Sequence, residues 1–425
     1  MKTHLYQNRA WSTIASVAVF LLYALTYIVP SGYSYGAVLL FLTSLGYLTT
    51  KPNWKLSAED KALIYIFLSI FIIALVAFII HSNEPKTVDQ ASRYLLFVPI
   101  LLLLLKMPPH QWAIWAGIAV GSISAAAFAT WQRYGLGIDR PDGFMTSAIP
   151  FGDISLMAGI LCLPGMFWAN AQTTYTRAWR ILAVGFLAGL YTSILSGSRG
   201  GWLAIPLVIV LLCIAFLKRK GLKQTIISIV LVIAALGVVF TALQDKVIAR
   251  YDIAVIQIND YAQHRDANTS VGIRLEAWRA AVINIAERPI LGWSYKDYAA
   301  RLQELAAEKK TSQSITELAN THNNYLEVWL HQGIFGLLAL LAMFIVPFWF
   351  FCKRLRSPNA NVQALAVGGA SLLVSFFIFG LTQVILGRNN GVIFFGLSLV
   401  IFWACMRNEE KKAAEQLSNT PVSQQ

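Results

Sequence analysis

Charge is scarce in this chain. Of 425 residues only 13% are Asp, Glu, Lys or Arg, against 57% that are hydrophobic. A soluble protein of this length would interrupt its apolar residues periodically with charge. Here long runs nearly free of charge recur, each close to the ~20 residues a helix needs to cross hydrocarbon. Cysteine is scarce too: Cys162, Cys213, Cys352 and Cys405 all fall in or at the ends of apolar runs, so neither a disulfide framework nor a zinc site follows from them. A Walker lysine with its glycine spacing is missing, as are an aspartate cluster and a well-spaced carboxylate pair in the outer loops. The usual sequence signs of a nucleotide site and of a metal centre are therefore lacking. The first apolar run continues into Pro30, Tyr33 and Tyr35 with no Ala-x-Ala-like cleavage site, and is read as a retained helix.

What is present is an all-α polytopic membrane protein. Twelve spans are expected, at 11–30, 34–50, 62–81, 93–107, 111–131, 153–170, 179–196, 201–217, 224–243, 328–352, 362–386 and 390–406. With a cytoplasmic N-terminus, eighteen of the 34 Lys and Arg but only five of the 21 Asp and Glu fall in inner loops, so the whole net charge of +13 lies inside. This positive-inside pattern sets the orientation, and it accounts for the basic pI without nucleic acid. Four regions follow: residues 1–243 with nine spans, an outer loop domain at 244–324, three further spans at 325–406, and a tail at 407–425 expected to fray in the cytoplasm.

Thr321-His322-Asn323-Asn324-Tyr325-Leu326-Glu327 stands where the long outer loop gives way to an apolar run. Thr321 is the expected N-cap, which puts His322 in the first turn of the next helix, where the positive end of the dipole disfavours an imidazolium. A neutral imidazole there is a candidate general base. Glu327 equally fits a helix-start charge favoured by the dipole. His331, further along the run, is read as a packed residue, and Gly333 and Gly336 as points of close helix approach.

Ser196-Gly197-Ser198-Arg199-Gly200-Gly201-Trp202 forms an outer turn with almost no loop. Ser196, Ser198, Gly200 and Arg199 suit a phosphate or diphosphate, and equally suit a tight helical hairpin with a snorkelling arginine. The 81-residue loop Gln244–Asn324 carries ten acids and ten Lys or Arg, a neutral solvated domain. Ser270–Arg288 reads as an amphipathic helix with Leu275, Trp278, Ala281, Val282 and Ile285 on one side. Ser294 and Asp297 are expected to open a second helix striped by Tyr298, Leu302 and Leu305. Arg274 and Trp278, one turn apart, suit a lipid phosphate or a sugar ring, although a solvated arginine explains Arg274 as well. Arg250, Arg265, Arg279 and Arg288 are not distinguished from it by composition. Gly387-Arg388-Asn389-Asn390-Gly391 offers a second anion contact on a short turn.

Taken in order, Ser196–Trp202, then Gly272-x-Arg274-x3-Trp278 with Arg288-Pro-Ile-Leu-Gly-Trp293, then His322–Glu327, resemble the O-antigen ligase and O-antigen polymerase superfamily, which includes bacterial O-linked oligosaccharyltransferases. Arg199-x3-Leu203 and the spacing of His322, Asn323, Gly333 and Gly336 resemble motifs of the ligase branch. The resemblance implies a GT-C-like glycosyltransferase on the periplasmic side of a Gram-negative inner membrane, with cytoplasmic termini and no metal or other cofactor. Its donor would be a glycan on undecaprenyl diphosphate and its acceptor a sugar hydroxyl of lipid A-core. In the implied chemistry His322 takes the acceptor proton while Arg199, Arg274 and Arg388 neutralise the diphosphate. Trp278, Asn323, Asn324 and Glu327 support sugar or base, and direct attack inverts the anomeric centre. A protein-directed oligosaccharyltransferase and a repeat-unit polymerase share the donor and differ in acceptor. A lipid-linked glycan transporter would instead call for mid-span charge and a repeated half, and neither is evident. Alkaline phosphatase fused after Lys310 is expected to be active and fused after Ser357 inactive; the reverse pattern would invert the orientation read from the charge.

Overall fold

A computed structural model describes residues 2–175, 177–216, 248, 252–253, 255–263 and 267–418. Every regular element among these described residues is helical. In chain order these are α1 (Lys2–Leu25), α2 (Gly32–Leu48), α3 (Ala58–His81), α4 (Lys86–Lys106), α5 (Gln111–Thr130), α6 (Ala148–Ala171), α7 (Ala178–Ser196) and α8 (Ala204–Phe216). Beyond the undescribed stretch come α9 (Gly272–Glu287), α10 (Tyr295–Ala307), α11 (Asn324–Cys352), α12 (Ala360–Thr382) and α13 (Asn389–Ser418).

Among the described residues eight helices are long and apolar enough to cross a membrane, namely α3 to α7 and α11 to α13, and Arg9–Leu25, Gly32–Leu48 and Gly200–Phe216 are shorter apolar helices. Apolar helices thus occupy eleven of the twelve expected positions, and the twelfth, 224–243, lies outside the described residues. α12 packs against α6, α8, α11 and α13, and α6 against α7, so α6, α12 and α13 form the buried centre. Ile72, Val76, Ile79, Leu338, Ile345 and Trp349 keep exposed apolar surface, which suits a face turned to lipid.

Two ends differ from expectation. The run at 93–107 belongs to a helix that starts at Lys86, because Arg93 is neutralised one turn back by Asp89, Nη2 to Oδ2 2.8 Å. The tail does not fray at Arg407. α13 continues to Ser418, its polar end held by Arg407 Nη1 to Glu410 Oε2 at 2.9 Å, Lys412 Nζ to Glu409 Oε1 at 2.8 Å and Arg354 Nε to Glu410 Oε1 at 2.5 Å. Pairs at i,i+3 and a third partner from the end of α11 replace the hydrocarbon that supports the rest of the helix.

The described part of the long loop packs over α11 through α9. Ser294 caps α10, its hydroxyl accepting from Asp297 N at 2.9 Å, and Leu302 and Leu305 are buried along the expected stripe. The inward face of α9 is shifted rather than replaced: Ala281 and Ile285 are buried as expected, but so are Glu276, Ala277, Ala280 and Asn284, whereas Val282 is exposed. The face rotates because Glu276 finds partners, accepting from Tyr261 Oη at 2.6 Å and Ser312 N at 3.2 Å, and a satisfied carboxylate is cheaper to bury than hydropathy alone suggests.

α11 is broken at Gly333, where φ is 64° and ψ −167°. The Pro289–Gly292 turn fills the break: Ile334 N donates to Pro289 O at 2.9 Å and Trp293 N to Leu330 O at 2.7 Å. Gly333 is therefore a break in its helix rather than a helix-crossing point. A Cβ there would stand 1.8 Å from Ile290 O, in a backbone region essentially confined to glycine. Gly333→Ala is expected to destabilise the fold by more than about 2 kcal/mol and to lower the melting temperature of the detergent-solubilised protein; an unchanged melt would contradict this seating.

Candidate functional site

Asn323, not Thr321, caps α11. Its Oδ1 accepts from Tyr325 N at 2.9 Å and Leu326 N at 3.1 Å, while Thr321 Oγ1 donates to Asn323 O at 3.0 Å. His322 therefore precedes the helix instead of sitting in its first turn. It adopts φ 53°, a left-handed conformation that non-glycine residues hold only when their surroundings enforce it. The enforcement is visible on both sides. Trp278 Nε1 donates to Thr321 O at 2.9 Å, Thr321 N donates to Glu327 Oε2 at 2.8 Å, and His322 N donates to Asn320 Oδ1 at 3.0 Å. Downstream, Asn323 Nδ2 donates to Leu381 O at 3.1 Å and Asn324 Oδ1 accepts from Leu386 N at 3.3 Å, which ties the loop to the end of α12.

The half-buried ring of His322 meets Gln383, whose side chain is buried, at 3.1 Å from Nδ1 to Oε1. The amide is oriented with its oxygen toward the ring because Oε1 also accepts from Val384 N at 3.2 Å. An amide oxygen cannot donate, so Nδ1 carries the proton and Nε2 keeps its lone pair. Burial pushes the pKa of His322 below the ordinary histidine value. Gln383 opposes that shift, Arg274 and Arg388 add to it, and Glu327 opposes it. The imidazole is accordingly held neutral.

Arg274, on α9, and Arg388, on the turn between α12 and α13, both act on His322 although 114 residues separate them in the chain. Burial lowers the pKa of Arg274, the neighbouring Arg140 adds to that, and Asp153 opposes it. Arg140 Nε donates to Ser196 O at 3.0 Å. Arg388 Nη1 donates to Thr146 Oγ1 at 2.6 Å, and its buried Nε has no hydrogen-bond partner among the described residues. Arg199 stands at the N-terminal end of the short 3-10 turn Gly200–Leu203. That turn is wedged so tightly that a Cβ on Gly200 would lie 2.2 Å from Thr382 Oγ1, next to Gln383. Ser196 and Ser198 are buried, with Ser196 Oγ donating to Ser193 O at 2.8 Å and Ser198 Oγ to Asp153 Oδ1 at 2.6 Å. Their hydroxyls serve the turn itself.

The remaining loop arginines separate from Arg274. Arg279 donates from Nη2 to Lys310 O at 2.5 Å and Arg288 stacks over Trp293 with its guanidinium carbon 3.9 Å from the ring centroid, while Arg250 and Arg265 lie outside the described residues. His331 is packed as expected: Nδ1 lies 3.0 Å from Trp293 O and the ring stacks on Tyr295 at 3.7 Å. Sequence reasoning did not single out Gln383, Asp153 or Arg140. Gln383 is a lone amide near the end of an apolar run, the one faint signal available.

Residues 184–341 match the family model described as O-Antigen ligase. The chain is 29% identical over 404 residues, 93% of its length and 99% of the relative's, to an uncharacterized protein of Haemophilus influenzae. It is 26% identical over 187 residues, 44% of either chain, to the O-antigen ligase of Escherichia coli strain K12. These matches support the resemblance to the O-antigen ligase superfamily that the motifs carry, and the apolar helices are those of a multi-pass membrane protein.

NMR titration of isotope-labelled histidine is expected to place His322 below the ordinary imidazole pKa. Arg388→Gln, by removing a nearby cation, is expected to move it upward; a downward or absent shift would separate Arg388 from the ring.

Proposed function

We propose that the chain is an O-antigen ligase, moving a glycan from undecaprenyl diphosphate to a sugar hydroxyl of lipid A-core on the periplasmic side of the inner membrane. The observation that carries this reading is the convergence of a neutral imidazole, fixed by Gln383, with the cations of Arg274 and Arg388. Acceptor and leaving group need opposite help, and the two kinds of group stand together.

In this mechanism Nε2 of His322 takes the proton from the acceptor hydroxyl as its oxygen attacks the anomeric carbon. The bond from that carbon to the diphosphate oxygen breaks, and undecaprenyl diphosphate leaves with the bonding electrons. Direct displacement inverts the anomeric centre. Arg274 and Arg388 stabilise the charge that accumulates on the leaving diphosphate, where charge-assisted contacts are stronger than neutral ones. Arg199 serves the same anion from the Gly200–Leu203 turn. Trp278 and Glu327 hold the His322 loop through Thr321, and Asn323 and Asn324 fasten it to α12.

The test is transfer by purified protein with chelator present, using undecaprenyl-diphosphate-linked glycan and, as competing acceptors, lipid A-core and a pilin-like protein. Product on lipid A-core is expected; product on the protein alone would make the chain an oligosaccharyltransferase. His322→Ala is expected to lower kcat by about 10²–10⁴-fold while donor binding persists, the range for loss of a positioned base. Gln383→Glu sets an anion beside Nδ1 and raises the His322 pKa, so the acid limb of the pH profile is expected to move to higher pH. Full activity of His322→Ala would remove base catalysis by this residue.

A further inference from the structure

Two cavities lie on the α4 side of the His322 loop. One of about 230 Å³ runs between α3, α4 and α11. The other, of about 190 Å³, extends beneath α10 to Thr321, the residue before His322. They share Tyr295, Ala319, Asn320 and Glu327, so they form adjoining parts of one groove. Its membrane end is apolar, with Ile70 and Leu340, and it closes against Val384, the residue after Gln383.

The chemistry of this groove is opposite to that of the arginines. Its walls carry the amides of Gln90, Asn320 and Gln332, the rings of Tyr94 and Tyr295, and one carboxylate, Glu327; among the described residues no Lys or Arg lines either part. Glu327 is buried, accepts from Thr321 N, and has His331 Nε2 3.6 Å from Oε1. A phosphate in this groove would meet a carboxylate in a poorly solvated place where no described Lys or Arg offsets it, an arrangement that desolvation and like-charge repulsion both disfavour. A neutral hydroxyl-rich ring would instead donate to Glu327 and to the amide oxygens and lie against the tyrosine faces. The volume of the larger part suits about one sugar ring, and pockets of this mixed lining are the usual form of small-molecule sites.

We propose that this groove is the acceptor subsite and that it takes an uncharged sugar ring, the apolar membrane end admitting the acceptor's lipid anchor. This rests on the ligase reading and deepens it: anion on the arginine side of His322, neutral hydroxyl on the Glu327 side. The acceptor sugar that receives the glycan is thereby one without phosphate at the reacting residue.

Saturation-transfer NMR on the full chain in nanodiscs of zwitterionic lipid tests it, with methyl glucoside and glucose 6-phosphate as probes. Methyl glucoside is expected to be saturated at least roughly tenfold more strongly than the phosphate. Ala91→Leu and Gln332→Phe, which narrow the groove from either wall, are expected to reduce the methyl glucoside signal several-fold while undecaprenyl diphosphate is retained. Glu327→Gln, which keeps an acceptor for Thr321 N, is expected to narrow the preference. Equal saturation of the two sugars by the unmodified protein, or none of either, would overturn the groove as a neutral-sugar site. Loss of transfer with methyl glucoside still bound would instead count against the ligase reading alone.

Discussion

The insertion of the Pro289–Gly292 turn into the break of α11 at Gly333 is the constraint on which the outer part of the molecule depends. A transmembrane helix normally keeps its backbone groups to itself, and a break costs hydrogen bonds that hydrocarbon cannot replace. Here Pro289 O and Trp293 N take the places of the missing partners. The exchange holds α9 at a set height over the bundle. Trp278 then reaches Thr321, Glu327 grips the same residue from below, and His322 is left in a left-handed conformation facing Gln383. Spacing between His322 and Gly333 has a mechanical sense: one end presents the ring, the other anchors the packed segment that shapes the loop.

Around that ring the charge is divided. Arg274, Arg388 and Arg140 come from three separate segments of the chain, Arg274 and Arg388 close enough to depress the basicity of His322 and Arg140 close enough to depress that of Arg274. Asp153, hydrogen-bonded to Ser198, offsets part of that positive charge from within α6. Ser196, Ser198 and Gly200 act by letting the turn of Arg199 seat tightly against α6 and α12. Phosphate recognition would fall to the arginines, and the small residues would set how close those arginines stand.

The architecture was legible because hydropathy is a sum over neighbours in sequence: eleven of the expected spans hold apolar helices. Cap identity was not, since Thr321 and Asn323 both carry cap chemistry and the choice was made by Glu327, which takes Thr321 N and leaves Asn323 to satisfy the helix. The inward face of α9 departs in part from the apolar stripe because Glu276 is buried with partners drawn from elsewhere in the fold. Gln383 escaped attention for the same reason, as an amide near a span end gains meaning only from what lies opposite.

By itself, then, the sequence determined an all-helical membrane protein, its expected orientation, and the residue types of the chemistry: a histidine at a loop-to-helix junction and arginines on short outer turns. Those are properties of runs and local composition, which exist before folding. Tertiary structure decided which arginines stand close enough to act on His322, which of its nitrogens is left with its lone pair, and that a groove lined by amides and Glu327 adjoins that loop. These depend on segments tens to more than a hundred residues apart being brought within a few ångströms, where burial converts weak charge and hydrogen-bond preferences into fixed ones.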